Sequence, residues 1–272
     1  MKTNPFDLTG TVAVVTGGSG VLGRAACLAI AQAGGRVAIL GRKEAQMQSV
    51  VAELNKITEG CAVVADCLNR AELEKARTTI KDRFGRIDFL LNFAGGNRPD
   101  ATTSADRTFF SLPQEALEGA INLNLVGTIL PCQVFGQAMA ERGEGAILNI
   151  SSMAALRPLT RIIGYAAAKA GVDNFTRWLA VHLAKEYSPK LRVNALAPGF
   201  FLTEQNRFLL TDEKTGQPTA RGKSILEHTP QARFGAAEDL TGTVLWLLSP
   251  ASAFVTGIVV PVDGGFSAFS GV

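Results

Sequence analysis

Short runs of consecutive apolar residues alternate along the chain with longer stretches whose apolar residues recur every three to four positions. The first pattern is that of strands buried on both faces and the second that of helices, so the alternation predicts a parallel α/β sheet. Strands are predicted at 11–16, 36–40, 61–65, 87–92, 146–150, 191–196 and 256–262. Helices are predicted at 24–33, from about 43, from about 70, from Pro113, after Tyr165 and over 236–248. The stretch 200–235 is the longest irregular one and is expected to be a substrate lid. No repeat, low-complexity tract or linker interrupts the pattern, which predicts one domain over 1–272.

Composition narrows the functional classes. With 47% hydrophobic residues in 272, material for a large core is ample, and a net charge of +3 argues against a nucleic-acid or membrane partner. Cys27, Cys61, Cys67 and Cys132 lack metal-ligand spacing and lie in or beside apolar runs, as expected of reduced thiols in a cytoplasmic protein. His182 and His228 leave little for a zinc site or a Ser-His-Asp triad, so no metal is expected. The opening MKTNPFDLTG lacks the apolar core of a signal peptide, and charge, Gly or Pro interrupts every long apolar run, so no bilayer span is expected.

Candidate chemistry concentrates where predicted strands end. Tyr165 and Lys169 stand four apart on a predicted helix, and a fixed ammonium nearby favours the phenolate form of a tyrosine. Ser152 follows the strand ending at Ile150, at the carboxyl edge where open α/β sheets bind ligands. Gly18-Ser19-Gly20-Val21-Leu22-Gly23 has the G-x-G-x-x-G form of a pyrophosphate-binding turn between strand and helix. The second strand ends in Gly41-Arg42-Lys43 with no carboxylate, so Arg42 is available to a 2′-phosphate and NADP(H) is expected over NAD(H). Asn122 and Asn124 interrupt an apolar helix and need partners in the core or the site. Arg98, Arg157, Arg161 and Arg207 are candidate partners for a substrate carboxylate, with His228 a further lid candidate. Phe200, Phe201, Phe208, Leu209 and Leu210 offer the alternative of an apolar pocket for an acyl substrate.

Along nearly its whole length the sequence resembles the short-chain dehydrogenase/reductase family. Thr16 to Gly23 resembles the family's T-G-x-x-x-G-x-G turn, with Val21 where a glycine is usual, and Asn92-Phe93-Ala94-Gly95 resembles its N-N-A-G element. Asn124, Ser152, Tyr165 and Lys169 match the Asn-Ser-Tyr-Lys tetrad, and Pro198-Gly199 with Thr203 matches the segment covering the nicotinamide. The resemblance implies a Rossmann-type doubly wound sheet of seven parallel strands, ordered 3-2-1-4-5-6-7, in a homotetramer. It implies that Tyr165 exchanges the proton with the substrate oxygen, Lys169 binds ribose and lowers the phenol's pKa, Ser152 polarises the carbonyl and Asn124 holds a water. Cofactor contacts are implied for Gly17, Ser19, Gly20, Val21, Leu22, Gly23, Arg42, Lys43, Asn92, Ala94, Gly95, Tyr165, Lys169, Pro198, Gly199, Phe201 and Thr203, with Asp66 and Cys67 beside the adenine. The segments 94–99, 199–207 and 262–272 look like those of the family's D-mannonate oxidoreductases (D-fructuronate reductases), with gluconate 5-dehydrogenases close neighbours. Asn97 and Met153 join Arg98, Arg157, Arg161, Arg207 and His228 as candidates for the substrate side. The alternatives are a 3-oxoacyl or other carbonyl reductase and, in another class, a catalytically silent NADP-binding regulator.

Overall fold

Successive residues of each central apolar run point to opposite sides of one sheet, and both sides are covered. The computed structural model describes residues 4–203, 207–212 and 215–271, without the Phe208 side chain. Its strands are β1 (Val12–Thr16), β2 (Arg36–Gly41), β3 (Gly60–Val64), β4 (Phe89–Asn92), β5 (Gly145–Ile150), β6 (Leu191–Pro198) and β7 (Val259–Val262). They pair in parallel in the order β3-β2-β1-β4-β5-β6-β7, as the family resemblance implies.

Ala13, Val15, Val37, Ile39, Leu91 and Leu148 face a core built with α1 (Val21–Gln32) and α2 (Glu44–Leu54). Val12, Val14, Ala38, Leu40, Leu90 and Ile147 face a second core built with α3 (Arg70–Phe84). This period of two inside fully buried strands explains why the runs carry no polar alternation. The protein continues through α4 (Gln114–Ile121), a π-helical turn over Asn122–Val126, α5 (Gly127–Arg142), the short α6 (Met153–Leu156) and α7 (Ile163–Glu186). Helices α8 (Arg207–Leu210), α9 (Ala220–Glu227) and α10 (Thr241–Leu248) complete the order. Val244, Leu247 and Leu248 of α10 join the α1 side, whereas α5 and α7 cover the α3 side.

Three sequence expectations change. Residues 200–235 are not irregular throughout, because α8 and α9 lie within them and bridges Phe201 to Gly235 and Thr211 to Pro218 pin the segment. The last strand begins only at Val259, since the preceding residues turn through Gly257 at φ 78, with Gly257 N–H donating to Val193 O at 2.7 Å. Gly127, Pro131 and Gly136 do not break the helical run from Gln114 to Arg142, which by length and composition is apolar enough to cross a bilayer. Half of its most apolar window is buried in the protein, where Val134, Phe135 and Met139 pack in the second core.

Candidate active site

Parallel pairing brings every strand's carboxyl end to one edge, and the singled-out residues gather there. The turn after β1 comes first. Gly17 N–H donates to Leu40 O at 2.9 Å and Gly20 N–H to Gly17 O at 3.0 Å, curling the backbone into α1. At Gly17, φ is +65 and a Cβ would lie 2.7 Å from Ala94 N, so only glycine fits between the β1 and β4 loops. Val21 takes the first position of α1, with a helical backbone and a 38% exposed side chain, which accommodates it in place of the usual glycine. This helix start has no side-chain cap and its first turn has no acid, leaving backbone N–H groups and the positive helix end toward an anion.

At the end of β2, Arg42 is exposed and pairs with Asp66 at 3.7 Å across the β3 loop, while Lys43 is the N-cap of α2. Asp66 Oδ1 also accepts from Leu68 N–H at 2.9 Å. Cys67 is buried, and desolvation pushes its thiol up to about 11. Thr16 Oγ1 accepts from Ala94 N–H at 3.2 Å, tying the β4 loop to β1. The Asn92 side chain turns inward, 1% exposed, donating to Asn149 Oδ1 at 2.9 Å and toward Cys132 Sγ at 3.2 Å. A direct cofactor contact through that amide is therefore not available.

Asn124 sits in the π-helical turn, a departure from α geometry that recurs at functional sites. Fully buried, it donates to Gly96 O and Ala120 O, each at 2.9 Å, and accepts from Gly96 N–H at 2.9 Å. The amide thus fixes the path of the β4 loop. Gly95 passes so close that a Cβ there would lie 2.8 Å from Asn124 Oδ1 and 3.5 Å from Lys169 Nζ.

Ser152 is the N-cap of α6, its Oγ accepting from Ala154 N–H at 3.1 Å, and Tyr165 lies in the first turn of α7. Lys169 is 3% exposed, donates to Ile150 O at 2.6 Å and stands 5.7 Å from the centroid of the Tyr165 ring. Burial pushes the ammonium down to about 8, and the Asp173 carboxylate works against that. Burial also pushes the Tyr165 phenol above its ordinary value, opposed by its interaction with the Ser152 hydroxyl. Without a bound cofactor, desolvation is thus the dominant influence on the phenol, and the ammonium beside it gives one of its protons to Ile150 O.

The arginines divide. Arg98 is paired with Asp100 through both carboxylate oxygens, with Nε to Oδ1 at 3.0 Å. Arg157 donates through Nε to Ser267 O of the C-terminal tail at 2.9 Å. Neither arrives as an uncommitted partner for a substrate. Arg161 keeps an exposed side chain on a left-handed backbone, φ 77, and its carbonyl accepts from Thr103 N–H at 2.9 Å. Arg207 is exposed at the start of α8, its N–H donating to Thr203 O at 2.9 Å. Asn97 Nδ2 donates to Thr102 Oγ1 at 2.9 Å, and Met153 is buried. His228 ends α9, with Nδ1 2.7 Å from Ser224 O and its ring 6.5 Å from that of Phe269.

Pro198 closes β6, and Gly199 N–H donates to Val262 O at 2.9 Å. Phe200 and Phe201 line a cavity of about 370 Å³ with Thr229, Gln231, Arg233 and Gly264. This cavity adjoins the tail and touches neither Ser152 nor Tyr165. Arg233 and Asp239 in its wall are paired with each other, and Leu210 is buried in packing. Residues 204–206 and the Phe208 side chain lie outside the described residues. No cluster of metal-ligating side chains occurs among the described residues, and all four cysteines are unpaired and buried.

Residues 18–267 match the family model described as enoyl-(acyl carrier protein) reductase. With the fold and the relatives below, this settles the class: the chain belongs to the short-chain dehydrogenase/reductase family and is an NAD(P)-dependent oxidoreductase. It is 46% identical over 276 residues to the uncharacterized Bacillus subtilis oxidoreductase UxuB, 98% of each being covered. Among solved structures it is similar to a Haemophilus influenzae protein provisionally described as a D-mannonate oxidoreductase, with bound NAD: TM-score 0.91, 40% identity, 98% of each protein. A Burkholderia cenocepacia gluconate 5-dehydrogenase in complex with NADP and tartrate superposes with TM-score 0.87 at 29% identity, over 97% of this protein and 98% of that one.

Proposed function

We propose that this enzyme interconverts a keto group and a secondary alcohol on a sugar acid of the D-fructuronate/D-mannonate type, preferring NADP(H) and accepting NAD(H). One observation carries the reading: Ser152 and Tyr165 lie with buried Lys169 and Asn124 on the same sheet edge as the uncapped start of α1. The nicotinamide, when bound, supplies or accepts the hydride. Tyr165 gives a proton to the carbonyl oxygen in reduction and removes it in oxidation; a phenol held protonated by burial suits the first role. Ser152 donates to the same oxygen and fixes it against the phenol. Lys169 holds the nicotinamide ribose and offsets phenolate charge as it develops, while Asn124 keeps the β4 loop and Lys169 in register.

Arg42 supports the NADP(H) preference, because it can leave an exposed pairing with Asp66 for a bidentate contact with a 2′-phosphate. Arg161 and Arg207, rather than Arg98 and Arg157, are assigned to the substrate carboxylate, since the latter two already hold partners. The tartrate-bound relative supports the neighbouring reading of a gluconate 5-dehydrogenase. Exposed apolar residues on α7 and before β7, among them Trp178, Val181 and Phe254, support assembly as a homotetramer, which light scattering tests. Four unpaired cysteines fit a reducing cytoplasm.

Initial rates of NADPH and NADH oxidation with D-fructuronate, 5-keto-gluconate and an acetoacetyl thioester test the substrate class. The expected result is turnover of a keto acid and none of the thioester. Turnover of the thioester alone replaces the reading with an acyl reductase.

A further inference from the structure

One turn beyond Lys169 on α7 lies a carboxylate for which the roles above provide no use. Asp173 is 4% exposed. Its Oδ1 and Asn92 Oδ1 are the buried side-chain oxygens that meet no donor among the described residues. Burying a carboxylate with a hydrogen bond unmade is costly, and a neutral residue would fill the same place at lower cost. Burial raises the pKa of the Asp173 carboxyl, and the Ser151 hydroxyl, Arg177 and Lys169 act against that, so its charge is held by the groups around it.

Asp173 and Lys169 act on each other electrostatically. Tyr165, Lys169 and Asp173 follow at intervals of four and share one face of the helix, with Lys169 the middle of the three. Lys169 is itself buried, and the carbonyl of Ile150 satisfies one of its N–H groups but carries no charge. Among the described residues the surroundings supply no other anion. From β5, the facing groups are neutral: Ser151, whose Oγ donates to Lys169 O at 3.5 Å, and Asn149, whose Nδ2 donates to Thr176 Oγ1 at 2.9 Å. From β6, Leu191 and Val193 are apolar, and Arg192 is committed to the end of α10, donating to Leu247 O at 2.8 Å. The π-helical turn contributes neutral Asn124. Arg177, the next charge along α7, is a cation and acts on Asp173. Asp173 is the charged group that opposes the effect of burial on Lys169.

We propose that Asp173 is a positioning residue for the reaction, the buried countercharge that keeps the Lys169 ammonium protonated and seated between Ile150 O and the Tyr165 phenol. The inference rests on the roles given above to Tyr165 and Lys169. A buried ammonium already near its titration point at physiological pH has little margin. Removing the carboxylate favours the neutral amine, so the lysine loses its proton at lower pH and both ribose binding and phenolate stabilisation fail earlier on the alkaline side.

The test is the pH profile of kcat/KM for keto-acid reduction in the wild type and in Asp173→Asn, Asp173→Ser and Asp173→Glu, with thermal melts of all four. In both neutral variants the alkaline limb is expected to move down by about one pH unit, with a roughly fivefold loss of rate near pH ~8. Asp173→Glu is expected to return the limb to its wild-type position. A merely structural role would lower the melting temperature of all three variants and leave every limb in place, which overturns the proposal. Two neutral variants keep the test alive should one not fold. Tyr165→Phe separates the two readings. If that variant still turns over, the roles of Tyr165 and Lys169 are wrong; if it is inactive while the Asp173→Asn limb coincides with wild type, only the countercharge is wrong.

Discussion

Replacing Asn124 by alanine removes an amide that makes three hydrogen bonds at 2.9 Å: to Gly96 O, to Ala120 O and from Gly96 N–H. Ala120 O and both partly buried Gly96 groups lose that partner. Each such bond is worth about 1 kcal/mol net, and a stranded partly buried group costs about 1–3 kcal/mol, so the loss should be about 3 kcal/mol. At this length of protein that corresponds to a fall in melting temperature of roughly 6–10 °C. Differential scanning fluorimetry measures it, and hydrogen exchange at residues 95–97 should rise in parallel. A second arm examines the contact itself. Gly95→Ala puts a methyl 2.8 Å from Asn124 Oδ1, so the double variant should be less destabilised than the sum of the singles. A melting temperature within about 2 °C of wild type, or strict additivity, would refute the view that Asn124 braces this loop.

Other consequences follow from charges and their burial. For Lys169, desolvation sets the folded-state pKa at about 8, below its ordinary value of 10.5. Between those values the native state binds fewer protons than the unfolded polypeptide, so the residue's contribution to stability grows as pH rises through that window and is least favourable below it. Lys169→Met should therefore lose turnover and flatten the rise in stability that the wild type shows between about pH 8 and 10.5; a slope equal to wild type would count against burial as the dominant cause. Arg42→Glu should raise KM for NADPH by about 10–100-fold and leave KM for NADH nearly unchanged, as steady-state kinetics would show; an unaltered ratio would dismiss Arg42 as the selector. Arg192 is buried with its guanidinium on Leu247 O, Leu248 O and Ser252 Oγ, closing the end of α10. Truncation to alanine strands those groups, and chemical denaturation should register a loss of about 2–4 kcal/mol. Arg157→Ala should loosen the tail, raising its protease sensitivity; tail cleavage at the wild-type rate would show that the contact with Ser267 O contributes nothing.

The fold was legible because a parallel sheet covered on both faces requires apolar runs, and those at 12–16, 36–41 and 145–150 have few other readings. The Gly17 turn was legible for a related reason: a glycine-rich stretch between strand and helix has a definite backbone use. Partner choice was less visible. Arg98 lies two residues from Asp100 and the pairing could have been suspected, but Arg157 meets a carbonyl 110 residues away, which no local pattern encodes. The π-helical turn at Asn124 leaves no signature in spacing, since one extra residue per turn is absorbed within a helical run. Asp173 was present at the right interval from Lys169. Only its burial and unmatched oxygen set it apart from the many solvated acids on helices.

The central claim is that Tyr165 exchanges the proton with the oxygen of a keto acid while hydride passes to or from the nicotinamide. Its most direct measurement is NADPH-dependent reduction of D-fructuronate by the wild type and by Tyr165→Phe, with cofactor binding followed by fluorescence in both. The account predicts turnover in the wild type and a loss of at least about a thousandfold in the variant, at unchanged NADPH affinity. A variant that reduces D-fructuronate at a rate near wild type, or a wild type that binds NADPH and reduces no keto acid, would contradict it.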